Sequence, residues 1–404
     1  MKPTVVVMPG DGIGRIVVPE ALRVLDAAGF EAELIHADLG WDCWRRDGIA
    51  LPQRTIDLLL EHRVGLLGAI TSRPKTEAEA ALPPELRGTG RVYRSPVLEL
   101  RRRLSLEVAL RPSRSFAGHP LNFVRRTATG AIEEPAIDTL VVMQNTECLY
   151  AGIEWSPLPA QVREAFDAHP EMTRFRDTSS EDLAVSARVM SREACLRVAR
   201  VAFEHAARRG DRVVRLCDKW GVMRETAALF LSAAQEVARE YPGISFECVN
   251  VDAQLMWLTR PPGAAGVVLA SALVGDLLSD AFAGLAGGLG FAACANLGPS
   301  CAVFEPTHGS APQYAERLPS IVNPIATVLA GAMLAEHLGQ RECAERVRAA
   351  VALVVTRGRV RTYDMLGLRG ADDVVEQGAA TTRQLADALI DAVQEARGNR
   401  ARAG

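Results

Sequence analysis

Short apolar, β-branched runs alternate with long amphipathic segments along most of this 404-residue chain. No other feature narrows the possible folds as much. Residues 4–8, 32–35, 64–69, 140–143, 212–216, 244–249, 266–270 and 302–305 read as strands. A segment with apolar positions Ile16, Val17, Ala21, Leu22 and Leu25 keeps a helical period, and 191–209 and 223–241 read as long helices. Such alternation predicts an α/β fold with a largely parallel central sheet. Two stretches break the rhythm. One is 71–95, rich in Pro, Glu and Gly; the other is 116–135, which resembles an excursion or a hairpin, with Thr129-Gly130 as a candidate turn.

Composition removes several classes of function. The net charge is −3, so no basic field points to nucleic acid or a membrane surface. The longest apolar stretch, 263–290, is interrupted by Asp276 and Asp280 and is not a membrane span. Eight scattered cysteines form no C-x-x-C pair, which fits reduced thiols in a cytoplasmic protein. No secretory leader is expected before the first strand, and 398–404 reads as a frayed tail. Of 46 basic residues, 43 are arginine and three are lysine: Lys2, Lys75 and Lys219. A GC-rich genome accounts for the bias, and it draws attention to each lysine that survives.

Several residues have the types and places that chemistry needs. Asp276 and Asp280, four apart, share one face of a helix that follows an apolar strand, and Asp252 follows another strand. Three carboxylates at strand ends suit a hard divalent cation, and they equally suit surface aspartates near helix N-termini. Lys219 caps a strand, either as a lysine whose pKa can be lowered to make a base or as a chance surface cation. Arg101, Arg102, Arg103 and Arg111 present guanidinium forks that match carboxylates, although Arg102 and Arg103 also read as a solvated helix face. Tyr150 lies in a polar-aromatic stretch directly after a strand. The loop Gly10-Asp11-Gly12-Ile13-Gly14 lacks the G-x-G-x-x-G spacing, so the Rossmann fingerprint is absent. His308-Gly309-Ser310-Ala311-Pro312 follows a strand and can offer backbone N–H groups to a phosphate or an adenine.

In order, these segments closely resemble the β-decarboxylating dehydrogenases, which include isocitrate, homoisocitrate, 3-isopropylmalate and tartrate/D-malate dehydrogenases. The resemblance rests on Pro9-Gly10-Asp11-Gly12-Ile13-Gly14, Leu100-Arg101 to Arg111-Pro112, Asn145-Thr146-Glu147 to Tyr150, Asp218-Lys219, Val251-Asp252, Gly275-Asp276 to Ser279-Asp280, Gly287-Gly288-Leu289-Gly290, and His308 to Asn323-Pro324. It implies an isopropylmalate-dehydrogenase-like, two-lobed α/β fold rather than a Rossmann fold. Residues 1–106 and 287–404 would form the large cofactor-binding lobe. Residues 107–286 would form the small lobe, with the dimer interface. The resemblance further implies a homodimer with shared active sites, in which Lys219 and Asp252 complete the partner's site. Asp276, Asp280 and the partner's Asp252 would hold Mg²⁺ or Mn²⁺. Lys219 would take the hydroxyl proton, Tyr150 would protonate the enolate, and Arg101 and Arg111 would clamp the carboxylate that is lost.

Four departures touch this set. Met143 stands where the family has a third substrate arginine, and Gln144 stands where Glu is usual. Gly221 and Ala272 each replace an Asn. The pocket for the C3 substituent would be lined by Ser72 and Ser95, with Arg94 meeting an anionic tail such as a carboxylate or phosphonate. The cofactor would bind along His308, Gly309, Ser310, Ala311, Pro312, Gln313, Tyr314 and Asn323. Gln313 replaces the acidic ribose clamp of NAD enzymes. The NADP set is half present, with Tyr363 but with Gly367 at the arginine position, so the balance falls narrowly to NAD. The expected activity is NAD(P)- and metal-dependent oxidative decarboxylation of a 3-substituted malate, from a specialised biosynthetic pathway. Two alternatives are a tartrate/D-malate-type dehydrogenase and a non-catalytic regulatory homologue.

Overall fold

The computed structural model describes residues 2–258 and 265–403. Fourteen strands are formed among them: β1 Thr4–Gly10, β2 Glu33–His36, β3 Val64–Ala69, β4 Val108–Arg114, β5 Arg125–Arg126, β6 Ile132–Glu133, β7 Asp138–Gln144, β8 Cys148–Trp155, β9 Val185–Val189, β10 Val213–Asp218, β11 Ser245–Asn250, β12 Ala265–Ala270, β13 Ala293–Leu297 and β14 Ala302–Pro306. Ten of these make one sheet in the order β11-β10-β12-β7-β4-β13-β14-β3-β1-β2. Each four-strand wing, β14-β3-β1-β2 and β7-β12-β10-β11, is parallel throughout. The sheet is thus largely parallel, as the alternation predicts. Its centre is not: β4 and β13 pair antiparallel with each other and with the wings they join.

The wings are apolar on both faces because helices cover both. Val5, Val6, Val7 and Met8 of β1 are fully buried, as a parallel strand between two helical layers requires. Helix Arg192–Arg209 shows how local sequence sets an element's limits. The Ser191 hydroxyl accepts the Ala194 N–H at the helix start, and Gly210 ends the helix at φ +74°. Ser191 is therefore the cap and not the first helical residue, which trims the expected 191–209 by one.

Other expectations change more. The stretch 71–95 carries a short helix, Lys75–Ala80, over a cluster in which Tyr93 meets Trp41 and Trp44 edge-on. The stretch 116–135 does turn at Gly130, and β5 pairs antiparallel with β6. The stretch holding Tyr150 directly follows β7, as expected, and itself forms a strand, since β8 and β9 make a separate two-stranded ribbon. The final helix, Thr382–Ala403, runs through most of the segment expected to fray; Gly404 lies outside the described residues. The apolar stretch 263–290, whose first two residues also lie outside the described set, resolves into β12 and helix Ala272–Leu285. Among the described residues no helix is long and apolar enough to cross a membrane. Cys248 is exposed and the other seven cysteines are buried and free.

Candidate active site

A cleft of about 530 Å³ opens at the ends of β3 and β14, beside β4, and Ser72, Ser95, Arg101, Arg111, His308 and Gly309 all line it. Arg101 comes from helix Pro96–Arg103 and Arg111 from β4. Alternation along β4 turns Ala109, Arg111 and Ser113 to the face that receives helix Ala272–Leu285. Small neighbours on that face let the guanidinium reach the helix. Arg111 Nη1 donates to Asp276 Oδ1 at 2.7 Å and to Ser279 Oγ at 2.9 Å, and lies 4.0 Å from Asp280. Arg101 Nη2 donates to Glu305 Oε1 at 2.7 Å. A buried guanidinium needs such carboxylates to offset its desolvation. The Nε of each arginine is buried with no hydrogen-bond partner among the described residues, which leaves donor capacity for a bound carboxylate.

Asp276 and Asp280 stand one helical turn apart beside Arg111, as their spacing predicts. Burial raises the Asp280 pKa, Arg111 opposes that rise, and the Asp276 charge adds to it. Two adjacent carboxylates, one of them largely exposed, offer hard oxygen donors with open positions, which suits Mg²⁺ or Mn²⁺. Tyr150 lies close to Asp276. Burial, reinforced by that carboxylate, pushes its hydroxyl well above the ordinary tyrosine range and keeps it protonated at neutral pH. Asp252 is elsewhere: Lys219 Nζ donates to its Oδ1 at 2.8 Å, and this bond lowers the Asp252 pKa. Among the described residues no three acids or other ligating side chains gather to hold a metal within one chain.

The glycine-rich loop after β1 serves as a buttress. Asp11 is buried and accepts the backbone N–H groups of Trp41 (2.8 Å) and Thr71 (2.9 Å). Gly12 sits at φ +52°, where a Cβ would lie 2.2 Å from the Ser310 carbonyl, so no larger residue fits. Thr71 Oγ1 and Ser310 Oγ lie 2.6 Å apart. The loop thereby fixes the segment His308 to Pro312 against the cleft wall. Burial lowers the His308 pKa, and its Nε2 is buried without a partner among the described residues. A neutral imidazole with an unspent nitrogen at the cleft suits a polar cofactor group. Ala311 takes a left-handed φ of +36°, and Pro312 and Gln313 are exposed beyond it. Tyr314 packs on Tyr363 at 5.6 Å and under Arg317 at 5.3 Å. Asn323 donates to Asp364 at 2.9 Å and caps the next helix through Ile325.

Not every expected residue reaches the cleft. Arg94 is exposed, one residue before the lining Ser95, and is not itself on the wall. Met143 is fully buried against helix Ala272–Leu285: a Cβ on Gly275 would lie 2.4 Å from the Met143 Cβ. Glu305 was missed by sequence reasoning, although an acid inside the apolar run of β14 was a readable signal. It accepts from both Arg101 and Asn296, and Asn296 in turn accepts from Asn145. This buried chain of polar groups backs the cleft.

Comparison with known proteins agrees with the geometry. The sequence model for isocitrate/isopropylmalate dehydrogenase matches residues 4–389. The chain is 34% identical over 385 residues to the isocitrate/homoisocitrate dehydrogenase of Thermus thermophilus, covering 95% of this chain and 97% of that one. It is 33% identical over 389 residues to protein DlpA of Legionella pneumophila, covering 96% of this chain but only 58% of that protein. The crystal structure of isocitrate dehydrogenase from Methylococcus capsulatus superposes with a TM-score of 0.79 at 32% identity, covering 97% of this chain and 99% of that one. Fold, cleft and relatives together define an oxidoreductase that acts on the CH–OH group of a hydroxy acid and decarboxylates it. The chain belongs to the isocitrate/isopropylmalate dehydrogenase family, whose members generally use NAD(P) with Mg²⁺ or Mn²⁺.

Proposed function

We propose that this enzyme oxidatively decarboxylates a 3-substituted malate, with NAD and Mg²⁺ or Mn²⁺, as a homodimer. The observation that carries the reading is that two buried arginines line one cleft and that Arg111 joins it to Asp276 and Asp280. When bound, the nicotinamide supplies the hydride acceptor and the divalent cation supplies Lewis acidity. Asp276 and Asp280 hold the cation. The free edges of Arg101 and Arg111 hold the carboxylate that departs as CO₂. Lys219 accepts the proton of the substrate hydroxyl, and Tyr150, protonated at neutral pH, returns a proton to the resulting enolate carbon. His308 Nε2 and the backbone from Gly309 to Pro312, with Asn323, receive the cofactor.

Two surfaces support the dimer. Met256 and Trp257, close to Lys219–Asp252, are exposed, and so are Leu273 and Leu277 beside the other two aspartates. Such an apolar patch calls for a partner. A second copy seated there would bring Lys219 and Asp252 to the acids they lack within one chain, so that the small lobe, 107–286, carries the interface and 1–106 with 287–404 the cofactor. Arg317 adds to the lean to NAD that Gly367 suggests. This cation over Tyr314 is committed to Asp372 at 2.7 Å and to the Ala371 carbonyl, which makes it a poor holder of an added phosphate.

The substrate's C3 substituent would rest against Ser72, Ser95, Ile70 and Val97, with exposed Arg94 available to an anionic tail. The test is a panel of isocitrate, homoisocitrate, isopropylmalate, D-malate, tartrate and phosphonomethylmalate, each with NAD and NADP and either cation. Reduced cofactor and CO₂ on an anionic 3-substituted malate are expected. Faster turnover of D-malate or tartrate would replace this reading with the tailless one. Metal-dependent binding without cofactor reduction on any substrate would point to a regulatory chain.

A further inference from the structure

We propose that Arg188 is a positioning residue for Lys219, tying the strand end that presents the lysine to the strand that carries Tyr150. No motif marks Arg188. It lies on β9, and its side chain is 9% exposed, against a fully buried Asp218. The guanidinium grips Asp218 with both arms, Nη1 to Oδ1 at 3.3 Å and Nη2 to Oδ2 at 2.5 Å. Asp218 is the last residue of β10, directly before Lys219. Its Oδ1 also accepts the Lys219 backbone N–H at 2.8 Å. On the other side of the lysine, the Lys219 carbonyl accepts the N–H groups of Val222 and Met223, and the same guanidinium packs on the Met223 sulfur. The turn bearing Lys219 is thus held from before and after by groups that converge on one arginine.

The second arm of the argument runs to Tyr150. The strand of Arg188 supplies this link, since β9 pairs antiparallel with β8, the strand of Tyr150. Cys148 is buried at φ +62° and pairs with Val189, the residue next to Arg188. Arg188 therefore joins, through its side chain on one side and its strand on the other, the segments that carry the two proposed proton-transfer groups. A buried ion pair is weak as a source of stability, but arginine's rigid donor geometry suits it to fixing orientation. The role rests on the reading of Lys219 as the base.

The test is a double-mutant cycle in the full-length enzyme, with turnover and melting temperature both recorded. Arg188→Met should lower kcat on the order of 10- to 100-fold, since a misplaced catalytic group costs about that much. KM for hydroxy acid and cofactor should stay within about twofold, because the arginine contributes nothing to the cleft wall. Arg188→Lys keeps Asp218 paired and the chain folded. It should lose several-fold in kcat, because one ammonium cannot match a two-armed grip on both carboxylate oxygens. In a Lys219→Ala background, Arg188→Lys should cost nothing further. Normal kcat in both Arg188 variants, or losses that simply add to that of Lys219→Ala, would overturn the role. Full activity in Lys219→Ala would overturn the base assignment, and the Arg188 role with it. Loss in Lys219→Ala beside an unaffected Arg188→Lys would overturn the Arg188 role alone.

Discussion

At the scale of single residues, environment decides protonation. Tyr150 is half-buried against an apolar cluster and close to Asp276, so ionising it would place a second negative charge beside the first. It therefore stays an acid across the neutral range. Tyr150→Phe should lower kcat by about 10²-fold or more with KM little changed, read from steady-state NADH formation. His205 shows the same physics outside the site. Burial, with Arg208 and Arg209 nearby, holds its pKa down to about 4 from 6.5. The unfolded chain therefore takes up that proton first. The stability contributed by the neutral ring is fully present above about pH 6.5 and is lost as pH falls toward 4, by about 3 kcal/mol. Thermal melts across that window should show the decline, and His205→Gln should flatten it. The site was legible in the sequence where a residue type has few reasons to sit where it does, as with Arg101, Arg111, Asp276 and Asp280. Arg188 was not legible, because its significance comes from Asp218, 30 positions away in the chain.

At the scale of elements, parallel strands and long helices were legible because each repeats one period over enough residues to be recognised. The ribbon β8–β9 was not. Its register shifts between Cys148 and Ile153, and Cys148 takes a positive φ. Val185–Val189 is only partly buried, so burial imposes no clean two-residue alternation on its sequence. The antiparallel centre was also invisible, because strand direction is set by connections and neighbours and leaves little trace in a strand's own residues. Helix Arg192–Arg209 links element to site. Besides capping it, Ser191 donates its N–H to Glu147 at 2.8 Å and its hydroxyl to the same carboxylate at 2.6 Å. That carboxylate lies in the turn between β7 and β8, three residues before Tyr150. Ser191→Ala should destabilise the fold by about 1 kcal/mol through the lost cap, read from denaturant titration. It should also raise hydrogen exchange at the start of β8, since Glu147 would keep one of its two anchors.

At the scale of the whole molecule, the sheet brings the cleft's arginines and two of its acids together from distant stretches of sequence, yet leaves Lys219 paired with Asp252 apart from them. Their pairing at 2.8 Å is an exposed one, and such a contact contributes little and is readily exchanged. An active site divided between two identical chains makes a demand that no rearrangement within one chain can meet. Lys219→Ala spoils the donated half of a site, and Asp276→Asn spoils the receiving half. Each variant alone should be inactive. In a heterodimer of the two, one site receives both defects and the other receives neither. Unfolding and refolding an equimolar mixture, so that subunits reassort, should therefore restore about a quarter of wild-type activity per chain, as random pairing of isologous subunits dictates. Size-exclusion chromatography with light scattering should show dimers throughout. Leu277→Glu, which places a charge on the exposed apolar patch, should give monomers that regain no activity in any mixture. If the two inactive variants refold to dimers and stay inactive together, then each chain builds its site alone, and Lys219 and Asp276 serve the same one.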